Sequence, residues 1–179
     1  MIVIMGVSGC GKTTIGKALA KQLGLPFFDA DDFHPQSNID KMKQGTPLTD
    51  DDRKPWLTLL ANTIKTWDEH GGAVLACSAL KESYRKILAS QSKDLSWIYL
   101  KGSFEVIQSR LDQREMHYMK SGLLQYQFDA LEEPNYGIHI NIENKPEQIV
   151  STLISKLKPI GKSEFGVIGL GVMGKSLSL

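Results

Sequence analysis

The chain has 179 residues, 41% of them hydrophobic, which suits one compact domain with an ordinary core. Lysine plus arginine number 21 and aspartate plus glutamate 20, so no global field draws the chain to nucleic acid or to an anionic membrane. Two cysteines, Cys10 and Cys77, are too few for a disulfide framework and point to a reducing cytoplasm; no apolar run approaches the roughly 20 residues that span a bilayer. Met-Ile-Val-Ile-Met at the start is too short for a signal peptide and lacks a basic leader.

Ile2 to Met5 is a continuous apolar run ended by Gly6, the pattern of a buried parallel strand. Residues 12–23 follow a helical period, with Ile15, Leu19 and Leu23 on one stripe, and Gly24 and Pro26 stop them. Pro26 to Asp29 reads as a second strand ending in carboxylates. Residues 30–50 read as a loop with a short helix near 36–43. Asp50, Asp51 and Asp52 suit the positive end of a helix running to about 69, with Pro55 in its first turn. A third strand is expected over 73–77, a helix over 80–90, and a fourth strand over 97–100. A helix at 104–113 is opened by Ser103 as N-cap. Residues 114–122 carry no period and read as a mobile loop before a helix near 122–131. Ile138 to Ile142 is a fifth strand, and Pro146 opens a last helix to 157. Strand–helix alternation with few hairpin signals predicts a doubly wound α/β domain with a parallel sheet, whose ligands bind beyond the carboxyl ends of the strands.

Residues 6–13 meet the spacing Gly-x-x-x-x-Gly-Lys-Thr, with a strand before and a helix after. Glycines let several N–H groups point into one cavity, and the following helix adds its positive end. Gly6, Ser8, Gly9, Cys10, Gly11, Lys12, Thr13 and Thr14 are therefore the predicted ATP-phosphate cradle. Lys12 supplies a cation to the β- and γ-phosphates, and the Thr13 hydroxyl a Mg²⁺ ligand.

A phosphate loop names only the donor. A kinase for a small alcohol also needs a base at the acceptor hydroxyl. Asp29, Asp31 and Asp32 at the end of the second strand can divide such work, one toward Mg²⁺ and one toward the hydroxyl; an acidic turn or helix cap is the alternative. Arg53, after three aspartates, suits either a surface ion pair or bidentate capture of a substrate carboxylate. Arg110 and Arg114, four apart, share a helix face before the irregular 114–122 loop. The four histidines show no metal-ligand spacing, and His34 stands out only by adjoining the carboxylates.

Longer strings carry a family likeness. Asp-Phe-His-Pro at 32–35, Asn-Ile-Asp-Lys-Met at 38–42 and Gly-Thr-Pro-Leu-Thr-Asp-Asp-Asp-Arg-Lys-Pro-Trp-Leu at 45–57 resemble gluconokinase. So do Cys-Ser-Ala-Leu-Lys at 77–81 with Tyr84-Arg85, Tyr-Leu-Lys-Gly at 99–102 and Gln-Phe-Asp-Ala-Leu-Glu-Glu-Pro at 127–134. The resemblance implies a P-loop fold like that of nucleoside-monophosphate and shikimate kinases, with three layers, a five-stranded parallel sheet and a helical lid over 114–126. It implies ATP-dependent phosphorylation of D-gluconate at its 6-hydroxyl, in a homodimer. It assigns Lys12, Asp31 and Arg114 to catalysis, with Asp31 and Asp32 able to exchange roles. Thr13 and Asp29 fall to Mg²⁺. Asp31, Arg53, His34, Arg85 and Gln127 fall to the substrate. Arg110 goes near adenine and Arg114 near the phosphates.

The end of the chain departs from this scheme. Past residue 158 and a linker at 159–164, Gly169, Gly171 and Gly174 form a Gly-x-Gly-x-x-Gly behind an apolar run. Residues 165–179 resemble the opening of 6-phosphogluconate dehydrogenase. The expectation is a kinase domain over 1–158 fused to the start of a dinucleotide-binding domain, too short here to hold a dinucleotide.

Overall fold

The computed structural model describes residues 1–92, 94–113 and 121–157. The expected lid is thus described only from residue 121, and Arg114 and the 159–179 segment lie outside these residues. Five strands form one parallel sheet: β1 (Ile2–Met5), β2 (Phe27–Asp29), β3 (Val74–Ala76), β4 (Ser96–Lys101) and β5 (Ile138–Asn141), in the order β2-β3-β1-β4-β5. The helices are α1 (Lys12–Leu23), α2 (Gln36–Lys43), α3 (Asp50–Glu69), α4 (Glu82–Ala89), α5 (Phe104–Asp112), α6 (Ser121–Ala130) and α7 (Pro146–Lys156). Among the described residues no helix is long and apolar enough to cross a membrane.

β1 is buried along its whole length because it is the central strand, paired in parallel with β3 (Ile4↔Ala76) and β4 (Ile4↔Ile98). Its side chains alternate between two cores. Ile2 and Ile4 join Ile15 and Leu19 of α1, Ile107 of α5 and Leu153 of α7. Val3 and Met5 join Trp56, Leu60 and Ile64 of α3 and Leu88 of α4. The result is helices, sheet, helices, the three layers expected. After β1 the chain moves to β2 and β3 on one side, then crosses to β4 and β5 on the other. This switch places the carboxyl end of β1 at the crevice where doubly wound sheets hold ligands.

Two local details differ from the sequence expectation. Residues Ala30–Phe33 form a 3-10 turn, capped by the Asp29 side chain accepting from the Asp31 amide at 3.3 Å. Pro55 lies in the second turn of α3, not the first. The reason is the capping box at Thr49: its hydroxyl accepts from the Asp52 amide while Asp52 accepts from the Thr49 amide, so the helix begins at Asp50. Pro55 then leaves the carbonyl of Asp51 without its helical donor, at an exposed position.

Candidate active site

The loop between β1 and α1 turns on glycine. Gly9 has φ +84° and Gly11, the N-cap of α1, has φ +101°, which side chains rarely adopt. A Cβ on Gly9 would also lie 2.9 Å from Leu111. The Lys12 ammonium donates to the carbonyls of Gly6 (3.0 Å) and Val7 (3.1 Å), so it folds over its own loop. The Thr13 hydroxyl donates to Asp29 at 2.9 Å, joining the phosphate loop to the end of β2. Ser8 is held by α6: its amide donates to Gln127 Oε1 at 2.7 Å, and Gln127 Nε2 donates to Ser8 Oγ at 3.0 Å. Gln127 is therefore placed on the phosphate loop. Cys10 is buried, and burial pushes its thiol pKa up. Thr14 is exposed in the first turn of α1.

Asp29 caps the 3-10 turn, the alternative weighed for it, and its other oxygen accepts from Thr13. The turn then presents Asp31. Protein crowding pushes the Asp31 pKa up, as do the charges of Asp29 and Asp32, while Lys12 opposes them. Yet 80% of its side chain meets solvent, which screens those neighbours. His34 follows, with its side chain 5% exposed and its ring stacked on Trp56 at a centroid distance of 4.1 Å. Burial, then the nearby Arg53 cation, lowers its pKa to about 4, so the imidazole is neutral at pH 7. Trp56 fixes this corner by donating from Nε1 to the Ala30 carbonyl at 2.9 Å.

Arg53 projects from α3, half-buried. It donates to the Leu48 carbonyl and its guanidinium lies 5.7 Å from the Tyr84 ring centroid. Among the described residues it forms no ion pair with a carboxylate. The surface ion pair weighed from sequence is instead made by Lys81, whose Nζ meets both oxygens of Asp50 at 2.9 Å, while the Tyr84 hydroxyl donates to Asp50 Oδ1. Lys81, Asp50 and Tyr84 thus frame Arg53 without having been singled out. Lys81 is the last residue of the 77–81 loop at the end of β3, and that loop was the signal available.

Arg85 is placed differently from the other substrate candidates. Its side chain is 2% exposed, and its N–H groups are spent on protein. They reach the carbonyls of Ala79 (2.8 Å), Leu80 (3.0 Å) and Glu132 (2.9 Å), the Glu82 carboxylate (2.9 Å) and the Tyr136 hydroxyl (3.0 Å). A guanidinium so committed has no free edge for a substrate, so its role is to shape the 79–81 loop. Arg110 donates to the Ile142 carbonyl at 2.6 Å and so ties α5 to the loop after β5. A separate cleft of about 450 Å³, bordered by Lys101, Phe128, Glu133 and His139, takes in none of the nominated residues.

These elements recur in known proteins. The shikimate kinase family profile matches residues 8–158. The thermoresistant gluconokinase of Escherichia coli K12 is 42% identical over 161 residues, covering 87% of this chain and 92% of that protein. The gluconokinase of Arabidopsis thaliana is 44% identical over 170 residues, covering 86% and 90%. The crystal structure of a gluconokinase from Sinorhizobium meliloti 1021 superposes with a TM-score of 0.80 at 39% identity, covering 86% of this chain and 89% of that one. With both fold and sequence matched over nearly the whole relative, the chain is a kinase of the gluconokinase family, within the shikimate kinase-like P-loop fold.

Proposed function

We propose that the chain transfers the γ-phosphoryl group of ATP to the 6-hydroxyl of D-gluconate, giving 6-phospho-D-gluconate and ADP. One observation carries this reading. The phosphate loop, the Asp29–Asp31 carboxylates and the half-buried Arg53, which makes no ion pair among the described residues, gather at the carboxyl ends of β1, β2 and β3. A donor cradle, a base and an anion-recognising cation are what a kinase for a sugar acid requires.

In this reading the amides of Gly9, Cys10, Gly11, Thr13 and Thr14, with Lys12, hold the phosphates as charge develops on the γ-oxygens. Asp31 accepts the proton of the 6-hydroxyl, whose oxygen attacks the γ-phosphorus while the bond to the β–γ bridging oxygen breaks. Arg53 anchors the carboxylate, leaving the far hydroxyl to reach the phosphate. Arg110 sits by the adenine, and Arg114 is assigned to the phosphates. The Thr13 hydroxyl and Asp29 carboxylate, 2.9 Å apart, are hard oxygen donors that fit Mg²⁺, and among the described residues no cluster of three or more potential ligands competes with them. Mg²⁺ would supply neutralisation of the β- and γ-phosphate charge. A homodimer is the assembly the family likeness implies, and the buried free thiols suit a reducing cytoplasm.

The proposed domain division is 1–158 as kinase, 159–164 as linker and 165–179 as the opening of a 6-phosphogluconate dehydrogenase-like domain. It draws support from the family match ending at residue 158 and from the spacing of Gly169, Gly171 and Gly174. The deciding experiment is ADP release with Mg²⁺–ATP over a panel of sugar acids, shikimate and neutral polyols. The highest kcat/KM is expected on gluconate. Preference for another acceptor would replace the substrate, and ATP binding without any phosphorylated product would remove the transferase reading.

A further inference from the structure

Among the described residues, Asn38 is the one uncharged polar residue buried as deeply as the core beside the site, at 2% exposure, and the sequence pattern assigns it no role. It lies in the first turn of α2. Its Nδ2 stands 3.0 Å from the Asp52 carbonyl and 3.4 Å from His34 Nδ1. A backbone carbonyl only accepts, so the atom facing it is the amide nitrogen, and the second N–H of that nitrogen is left for the imidazole. His34 Nδ1 is then the acceptor, and the ring proton sits on Nε2. Stacking on Trp56, with the ring planes 17° apart, holds the ring plane, and the Asn38 donor selects the flip that turns Nδ1 toward it.

Nε2 lies 3.9 Å from Asp31 Oδ1. That is too long for a direct hydrogen bond. An oxygen placed about 2.8 Å from both atoms would see them at roughly 90°, close to the angle between the donor and acceptor directions of a hydroxyl. We propose that Asn38 is a positioning residue that fixes His34 as the Nε2–H tautomer, so that His34 and Asp31 grip a single hydroxyl of the acceptor, the imidazole donating to its oxygen and the carboxylate accepting its proton. The ring can serve this way because it is neutral. The charged groups around it are Asp31 on the 3-10 turn and Arg53 and Asp52 on α3, with Asp52 paired to Lys41 of α2 at 2.6 Å. The proposal deepens the kinase reading above and rests on it for the nature of the acceptor: a polyhydroxylated acid offers the hydroxyl, whereas a ligand without one gains nothing from the pair.

The test joins a spectroscopic and a kinetic readout on the full chain. Ring ¹⁵N resonances of His34, assigned by their loss in His34→Gln, are expected to show a protonated Nε2 and an unprotonated Nδ1 at neutral pH; the opposite pattern overturns the proposal. A Gln at 34 carries its N–H near the Nε2 position, and an Asn carries it near Nδ1. His34→Gln is therefore expected to keep kcat/KM at least roughly tenfold above His34→Asn, the scale of one hydrogen bond to a reacting group. Equal losses in the two variants at equal melting temperature would overturn the grip. In Asn38→Asp the carboxylate can only accept, so the proton should move to Nδ1 and kcat/KM should fall with it; a moved proton with unchanged kcat/KM also overturns it. If the unmodified chain turns over no sugar acid, the kinase reading fails, while the ¹⁵N spectrum still decides the tautomer.

Discussion

Arg53 and His34 show how one corner sets two opposite electrostatic tasks. Arg53 rests against a π face and one carbonyl and makes no ion pair among the described residues, so its attraction for a carboxylate is not already spent. Arg53→Ala is expected to raise KM for gluconate by roughly a hundredfold, the loss of a bidentate charge-assisted pair, with kcat changed far less. A neutral polyol should lose much less, and an unchanged gluconate KM in steady-state assays removes Arg53 from the site. His34 is held neutral, with its pKa lowered from 6.5 to about 4. The unfolded chain therefore binds this proton more readily than the folded one. Its contribution to stability is complete above about pH 6.5, falls as the pH drops toward 4, and is gone below that. The size is at most about 3 kcal/mol. Denaturant unfolding between pH 7 and pH 4 should show a steeper loss for the unmodified chain than for His34→Gln, and parallel curves would mean that His34 is not protected.

Among the elements, the loop between β3 and α4 holds the strain of the site. Ala79 has φ +44°, in the left-handed region. Arg85 secures it by donating to the Ala79 and Leu80 carbonyls from a position anchored on Glu82 and Glu132. Arg85→Ala would take the guanidinium donors from the buried Ala79 and Glu132 carbonyls, while Leu80 keeps the Glu132 amide and Glu82 the Tyr136 hydroxyl, and should destabilise the fold by about 3–5 kcal/mol. Ala79→Gly, which removes the steric cost at that φ, should cost nothing or add up to about 1 kcal/mol. Thermal melts of the two variants decide this, and a large loss in Ala79→Gly would mean the methyl packing there outweighs the backbone strain. The resemblance gave Arg85 to the substrate, whereas the structure commits its donors to protein. Tyr84-Arg85 follows a strand end and carries the right charge, but whether a helical arginine turns toward solvent, a ligand or its own loop depends on where residue 132 returns. That return is set by the path from α6 to β5.

For the whole molecule, the expectation is a kinase that works without its last residues. The family match ends at residue 158, and among the described residues both cores are built from segments running from β1 to Leu157, just after α7. Removal of residues 160–179 should leave kcat and KM for gluconate within about twofold, with the oligomeric state seen by sedimentation unchanged. A large loss of either would assign the segment a part in the kinase. The sequence by itself determined the sheet, the helices and the donor site. Continuous apolar strands, 3.6-residue stripes and glycine spacing are local signals, and each corresponds to one element of the observed fold. Even the cap Ser103, which accepts from Val106, was legible. Only the tertiary structure decided what depends on two distant segments meeting: that Gln127 grips Ser8, that Lys81 rather than Arg53 pairs with Asp50, that Arg85 is a scaffold, and that Asn38 orients His34. The physical reason is that a hydrogen bond is short and directional. Residue type and spacing along the chain specify the groups available, but the partner each one finds is settled by how the helices pack on the two faces of the sheet.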